Sequence, residues 1–144
     1  MARVPIELRL SLREGSVFYF HERTLSSAEA HFHIVVNNPL AQQVLLLTVV
    51  TSKIEKVKYR RRDCLETLVE LAPADLPQIL TRPSIVDCNR LIRIPLDEFC
   101  DRWTRKEIGS FDKDLPVFLR KALRKAIHAS RTVPDEIKAL VAAP

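Results

Sequence analysis

The sequence predicts an α+β domain: a small, curved antiparallel sheet or partial barrel with a helix packed on it. Two observations carry this. Short β-type runs separated by turn residues fill the first two-thirds of the chain, and one strongly amphipathic helical segment follows near its end. With 144 residues, 47% of them hydrophobic, the chain is sized for a single domain, 1–144, with a real core.

The elements follow in order. Val4, Ile6, Leu8, Leu10 and Leu12 alternate with Pro5, Glu7, Arg9 and Ser11, the period of a half-buried strand. Pro5 cannot donate to a ladder, which places that strand at an edge. Glu14-Gly15-Ser16 reads as a turn and Val17–Phe20 as a short aromatic strand. A polar loop, Glu22 to Glu29, leads into a His31–Asn37 strand, and Asn37-Asn38-Pro39 turns the chain back into an apolar run, Val44–Ser52. After a basic segment, Glu66–Leu71 reads as a strand. Pro73 to Pro77 interrupts it, and Leu76–Leu80 can form one helical turn. Ser84–Cys88 and Leu91–Ile94 are short strands, and Leu96–Trp103 a short helix with Trp103 in the core.

The clearest helix spans about Lys113 to Ser130. Leu115, Phe118, Leu119, Ala122, Leu123, Ala126 and Ile127 share one side, with Arg120, Lys121, Arg124, Lys125 and His128 on the other. Asp112 and Asp114 sit at its start, where the macrodipole favours acids. Thr132-Val133-Pro134-Asp135 resembles a helix start, opening a short last helix to about Ala143.

Composition excludes several functions. Two glycines, Gly15 and Gly109, cannot build a Walker loop or a dinucleotide fingerprint, which need several glycines close together. Cys64, Cys88 and Cys100 form no Cys-x-x-Cys pair, which argues against a disulfide framework or a zinc site and for a reducing, cytoplasmic setting. No apolar run reaches the roughly 18 residues of a membrane span, and the start lacks a secretory h-region. Net charge is +5, and Lys53, Lys56, Lys58, Arg60, Arg61 and Arg62 against Glu55 account for all of it. Such a run is either a solvated loop or a surface for an anionic partner, nucleic acid foremost.

His31 and His33, two apart on a strand, share one face, and Thr51-Ser52 closes the next strand just before the cations. Imidazoles titrate near neutral pH and suit acid–base work at phosphorus. The competing reading is that the histidines satisfy strand hydrogen bonds or fill a groove. A metal reading of His-x-His is weaker, because no third His or well-spaced acid follows. Phe32 and Tyr59 are available to stack on a base. Cys88 has no context that would lower its pKa. His21-Glu22-Arg23, in the first loop, is expected at the same mouth.

Taken together, Arg13–Phe20, His31–Asn38, Val49-Val50-Thr51-Ser52, Pro83–Leu91 and Lys106–Leu115 with the following helix resemble, in order, segments of the MazF/PemK (Kid) family of toxin endoribonucleases. The resemblance covers roughly residues 13–130; 1–12 and 132–143 look like an added strand and an added short helix. It implies an SH3-like antiparallel β-barrel with a C-terminal amphipathic helix and an added N-terminal edge strand, often a homodimer. Implied too are a single-stranded RNA substrate, a cognate antitoxin, a cytoplasmic location and metal-independent cleavage with no cofactor. On this reading His31, His33 and Thr51 are catalytic, while Ser52, Lys53, Lys56, Lys58, Arg60, Arg61 and Arg62 hold RNA. The departures are equally specific. Phe32-His33 stands where the family has arginine before proline, and Asp87-Cys88-Asn89 where PemK-type members have Arg-Cys-Asp. Two further readings therefore stay open: a non-catalytic barrel of the same fold that binds RNA or a protein partner, and a structural domain whose basic surface has no nucleic-acid role.

Overall fold

A computed structural model describes residues 3–25 and 28–144. Seven strands form one antiparallel sheet: β1 (Ser16–Phe20), β2 (His31–Val35), β3 (Val44–Thr51), β4 (Leu68–Leu71), β5 (Ser84–Asp87), β6 (Ile92–Pro95) and β7 (Gly109–Asp114). Their order is β4-β5-β3-β2-β1-β7, with β6 also pairing β3. Among the described residues six α-helices accompany them: α1 (Ile6–Arg9), α2 (Pro39–Gln42), α3 (Ile54–Arg60), α4 (Leu96–Thr104), α5 (Val117–Ala129) and α6 (Asp135–Lys138).

β3 organises the sheet, and its sequence shows why. It pairs β2 along one side; on the other, Val44–Leu47 pair β6 and Val50–Thr51 pair β5. Both of its faces are covered. Leu46 and Val50 join one core with Val17, Ile34, Val86 and the α5 residues Leu119, Leu123, Ala126 and Ile127. Leu45 and Leu47 join another with Phe18, Phe20, Val35, Ile94 and the α4 residues Leu96 and Phe99. A strand buried on both sides has no use for polar alternation, so Val44–Val50 is almost continuously apolar. Thr48 is its one polar member, fully buried with its hydroxyl directed at the Ile34 carbonyl (3.4 Å). The turn before β3 is held by Asn37, whose amide donates to the Val44 carbonyl at 2.8 Å and accepts from the Leu46 N–H at 2.9 Å.

Several expectations are corrected. The first segment is a helical turn, α1, and not an edge strand. Val4, Leu8 and Leu12 are buried while Ile6 and Leu10 are exposed: every second apolar residue lies at i, i+4, i+8, so the helical face was contained within the alternation. The basic segment is a helix, α3, and not a loop; Val57 buries itself and the straight-chain cations favour helix around it. The segment expected as a Glu66–Leu71 strand is narrower, because Leu65–Thr67 forms a 3-10 turn before β4. The long helix begins at Val117, after Pro116, so Asp112 and Asp114 belong to β7 and do not cap it. Phe118, expected on its apolar side, is exposed. The last helix ends at Lys138, well short of Ala143, and Thr132 does not cap it: its hydroxyl donates to the Asn89 carbonyl.

The sheet is open. Among the described residues no ladder joins the outer strands β4 and β7, so the closed SH3-like barrel is not present in the strand pairing. α5 packs against β4, and at its other end the Leu115 N–H, just past β7, donates to the Gly15 carbonyl at 2.8 Å.

Candidate functional site

The strand ends bring the predicted residues to one place. The β2–β3 ladder ends at Phe32 opposite Val50, so one step further His31 faces Thr51. Both line a cavity of about 140 Å³ with Lys53, Lys56, Arg60, Asp87 and Arg90, over an apolar floor of Leu25, Val49 and Val57. α3 supplies Lys56 and Arg60, with Lys53 just before its first residue, because the helix starts at Ile54, three positions after Thr51 closes β3. Thr51 governs that junction: its hydroxyl accepts the Lys53 N–H at 3.2 Å.

The basic run divides along the helix. Lys53, Lys56 and Arg60 face the cavity. Arg61 turns to Asp87, Lys58 pairs with Glu70 at 3.2 Å, and the Arg62 guanidinium lies 4.5 Å from the centre of the Tyr59 ring. Ser52 is exposed and lines a neighbouring cavity. Tyr59, one of the two expected stacking residues, is exposed outside the cavity lining, with that cation over one face of its ring.

His33, two residues further along β2, lies beneath the surface and does not line the cavity. It is fully buried and stacked on Phe20, with ring centroids 3.9 Å apart and planes 16° from parallel. Neither ring nitrogen has a hydrogen-bond partner. Burial, reinforced by the nearby charge of His31, pushes its pKa down to about 4, against which backbone carbonyls act weakly. It stays neutral in the folded protein at physiological pH. The unfolded chain, with histidine near 6.5, binds a proton that the folded chain refuses. Stability is therefore full above about pH 6.5 and falls as pH drops toward 4, by about 3 kcal/mol in all. Denaturant melts at pH 7 and pH 4.5 read this slope, and His33→Leu is expected to flatten it.

Sequence reasoning missed Asp87 as an anchor and Arg90 as a lining cation. Asp87 accepts from Arg61 Nε at 2.9 Å and from Arg60 Nη2 at 3.4 Å, and its other oxygen accepts from the Asn89 amide at 2.9 Å. Burial acts to raise the Asp87 carboxyl, but the bonds from Asn89 and Arg61 outweigh it and hold its pKa below the ordinary range. Asn89 is itself fixed by Thr67 (2.6 Å) and by the Ser130 hydroxyl, which donates to it at 2.7 Å from the end of α5. Arg90 is exposed and, among the described residues, Lys53, Lys56 and Arg90 form no ion pair. The only signal for Arg90 was its place three residues after Asp87.

His21-Glu22-Arg23 does not join the cavity lining. Glu22 is buried, pairing with Arg102 of α4 at 3.2 Å. Cys88 is buried beside Asp87, and burial raises its thiol far above the thiolate range. Among the described residues no group of three or more His, Cys, Asp or Glu side chains is gathered as metal ligands would be.

Comparison with solved structures shows a likeness of fold. The chain superimposes on the Mycobacterium tuberculosis toxin MazF-mt6 with a TM-score of 0.50 at 16% identity, covering 81% of this chain and 95% of that one. The fold is MazF-like. No family model and no curated sequence matches the chain. The MazF-like fold expected from the motifs is the fold observed, with an open sheet in place of a closed barrel and a helical turn in place of the N-terminal edge strand. Among the described residues no helix is long and apolar enough to cross a membrane.

Proposed function

We propose that the chain is a toxin-antitoxin-type, metal-independent endoribonuclease acting on single-stranded RNA. One observation carries this: on a MazF-like fold, an imidazole, a hydroxyl and unpaired cations converge on one small cavity, at His31, Thr51, Lys53, Lys56 and Arg90. Cleavage without a metal needs a base for the 2′-hydroxyl proton and positive charge for the phosphorane. His31 accepts that proton as the 2′-oxygen bonds to phosphorus and the P–O5′ bond breaks. The departing O5′ takes a proton from water at the exposed mouth, and the hydroxide so formed takes back the proton held by His31, leaving a 2′,3′-cyclic phosphate, a 5′-hydroxyl and neutral His31. Lys53, Arg60 and Arg90 face the developing charge, and Thr51 orients a non-bridging oxygen.

Asp87 favours a rival at first sight, since a carboxylate near a phosphate suits a barrel that binds without cutting. Its two arginines answer that. Asp87 spends its charge on Arg60 and Arg61, and by doing so holds the Arg60 guanidinium at the cavity from α3. An arginine absent from the expected strand position thus arrives from a helix. His33 is assigned to packing behind His31. A cytoplasmic location, a cognate antitoxin and a homodimer belong to the same proposal.

The test is incubation of the purified protein with single-stranded RNA in EDTA. Cleavage is the expected result. Tight binding without cleavage would overturn the nuclease in favour of the binding barrel, and no binding at low salt would overturn both.

A further inference from the structure

A second cavity, of about 250 Å³, opens on the other face of the same strand ends and shares His31, Thr51 and Lys53 with the first. Its floor is Phe32 of β2 and Val50 of β3, which pair directly. Tyr19 of β1 borders it on one side; Leu80 and Arg82, on the β5 side, border it on the other. Tyr19 is 42% exposed, high for an aromatic strand residue, yet it is not loose. Its ring rests on Phe32 at 4.8 Å between centroids, and Phe32 rests on Phe111 at 5.6 Å. On its other flank the β7 residue paired with Tyr19 is Gly109, which has no side chain to cover the ring. A supported aromatic face is thus left open beside cations, one wall away from the cavity assigned to the scissile phosphate.

We infer that this second cavity is a nucleobase subsite, in which Tyr19 stacks on the base next to the cleaved phosphate. The inference rests on the ribonuclease reading of the first cavity. The volume lies below the roughly 300–1,000 Å³ of sites for drug-sized ligands and suits a single flat heterocycle. Aromatic stacking accepts any base, and a groove of lysine and arginine tracks the backbone between bases. Lys53, lining both cavities, is placed to hold the phosphate that joins the stacked nucleotide to the reacting one. Arg82 and Ser84 supply polar groups at the rim for the base edge.

The experiment measures binding of the full chain to short single-stranded RNA with 2′-O-methyl riboses, which keep every phosphate but lack the nucleophile. Tyr19→Ala is expected to weaken binding roughly tenfold without changing the slope against salt, because no phosphate contact is lost. Tyr19→Phe is expected to bind as the wild type does. An abasic residue moved along the strand is expected to cost the wild type about tenfold at one position and to cost Tyr19→Ala nothing there. Equal abasic penalties in the two proteins, or no position in the wild type that stands out, would overturn the subsite and leave the nuclease standing. Failure of the wild type to bind at all would overturn both.

Discussion

His31→Ala is expected to lower RNA cleavage by about 10²–10⁴-fold, the range for losing a positioned general base, while leaving the melting temperature close to wild type. His31 sits at the strand end, half-buried on the cavity wall, so its removal costs little packing. His33→Leu is expected to show the reverse. Its cleavage rate stays within a few-fold of wild type, because that ring is sealed against Phe20 and reaches no substrate. Single-turnover cleavage rates of the two variants, with their melts, separate the roles. Equal losses of activity in both would contradict the assignment.

Asp87→Ala is expected to damage both stability and cleavage. It strips the partner from Arg61, about a quarter exposed, and from Arg60, nearly half exposed. Breaking a fully buried pair costs about 3–5 kcal/mol; the exposure of both arginines brings the expected loss down to about 2 kcal/mol. Cleavage falls by more than tenfold, since Arg60 is released from the cavity and α3 loses its tie to β5. The carboxyl also sets a pH window. Its folded pKa is depressed, so its contribution is fully present above the unfolded value of about 3.9 and is lost as pH falls through the folded one. Wild type is expected to lose that increment in acid on top of the loss from His33, and Asp87→Ala to show the His33 loss alone. Urea melts at pH 6 and pH 3 check this.

These two residues also mark how much was legible in the sequence. His31, Thr51 and Lys53 could be brought together on paper, because strand ends and the turn after them are local features that a register carries directly. Asp87 could not. Its meaning lies in a bond to Arg61, 26 positions away, and as a sequence letter it was only a missing arginine. The fold shows the same division. β3, α4 and the body of α5 follow from apolar periodicity, as expected. β7 was not read as a strand, since Gly109–Asp114 is mostly exposed and polar, with Phe111 its lone aromatic, and it pairs only with β1. The first segment misled because alternation and helical spacing coincide at Val4, Leu8 and Leu12, and only the exposure of Ile6 and Leu10 tells them apart.

The central claim is metal-free transfer of the phosphate to the adjacent 2′-oxygen, with His31 as base. Analysis of the RNA ends left after digestion in EDTA tests it most directly. Wild type is expected to leave 2′,3′-cyclic phosphate and 5′-hydroxyl ends, and His31→Ala almost none. Ends bearing a 5′-phosphate, or cyclic phosphates formed equally by both proteins, would contradict it.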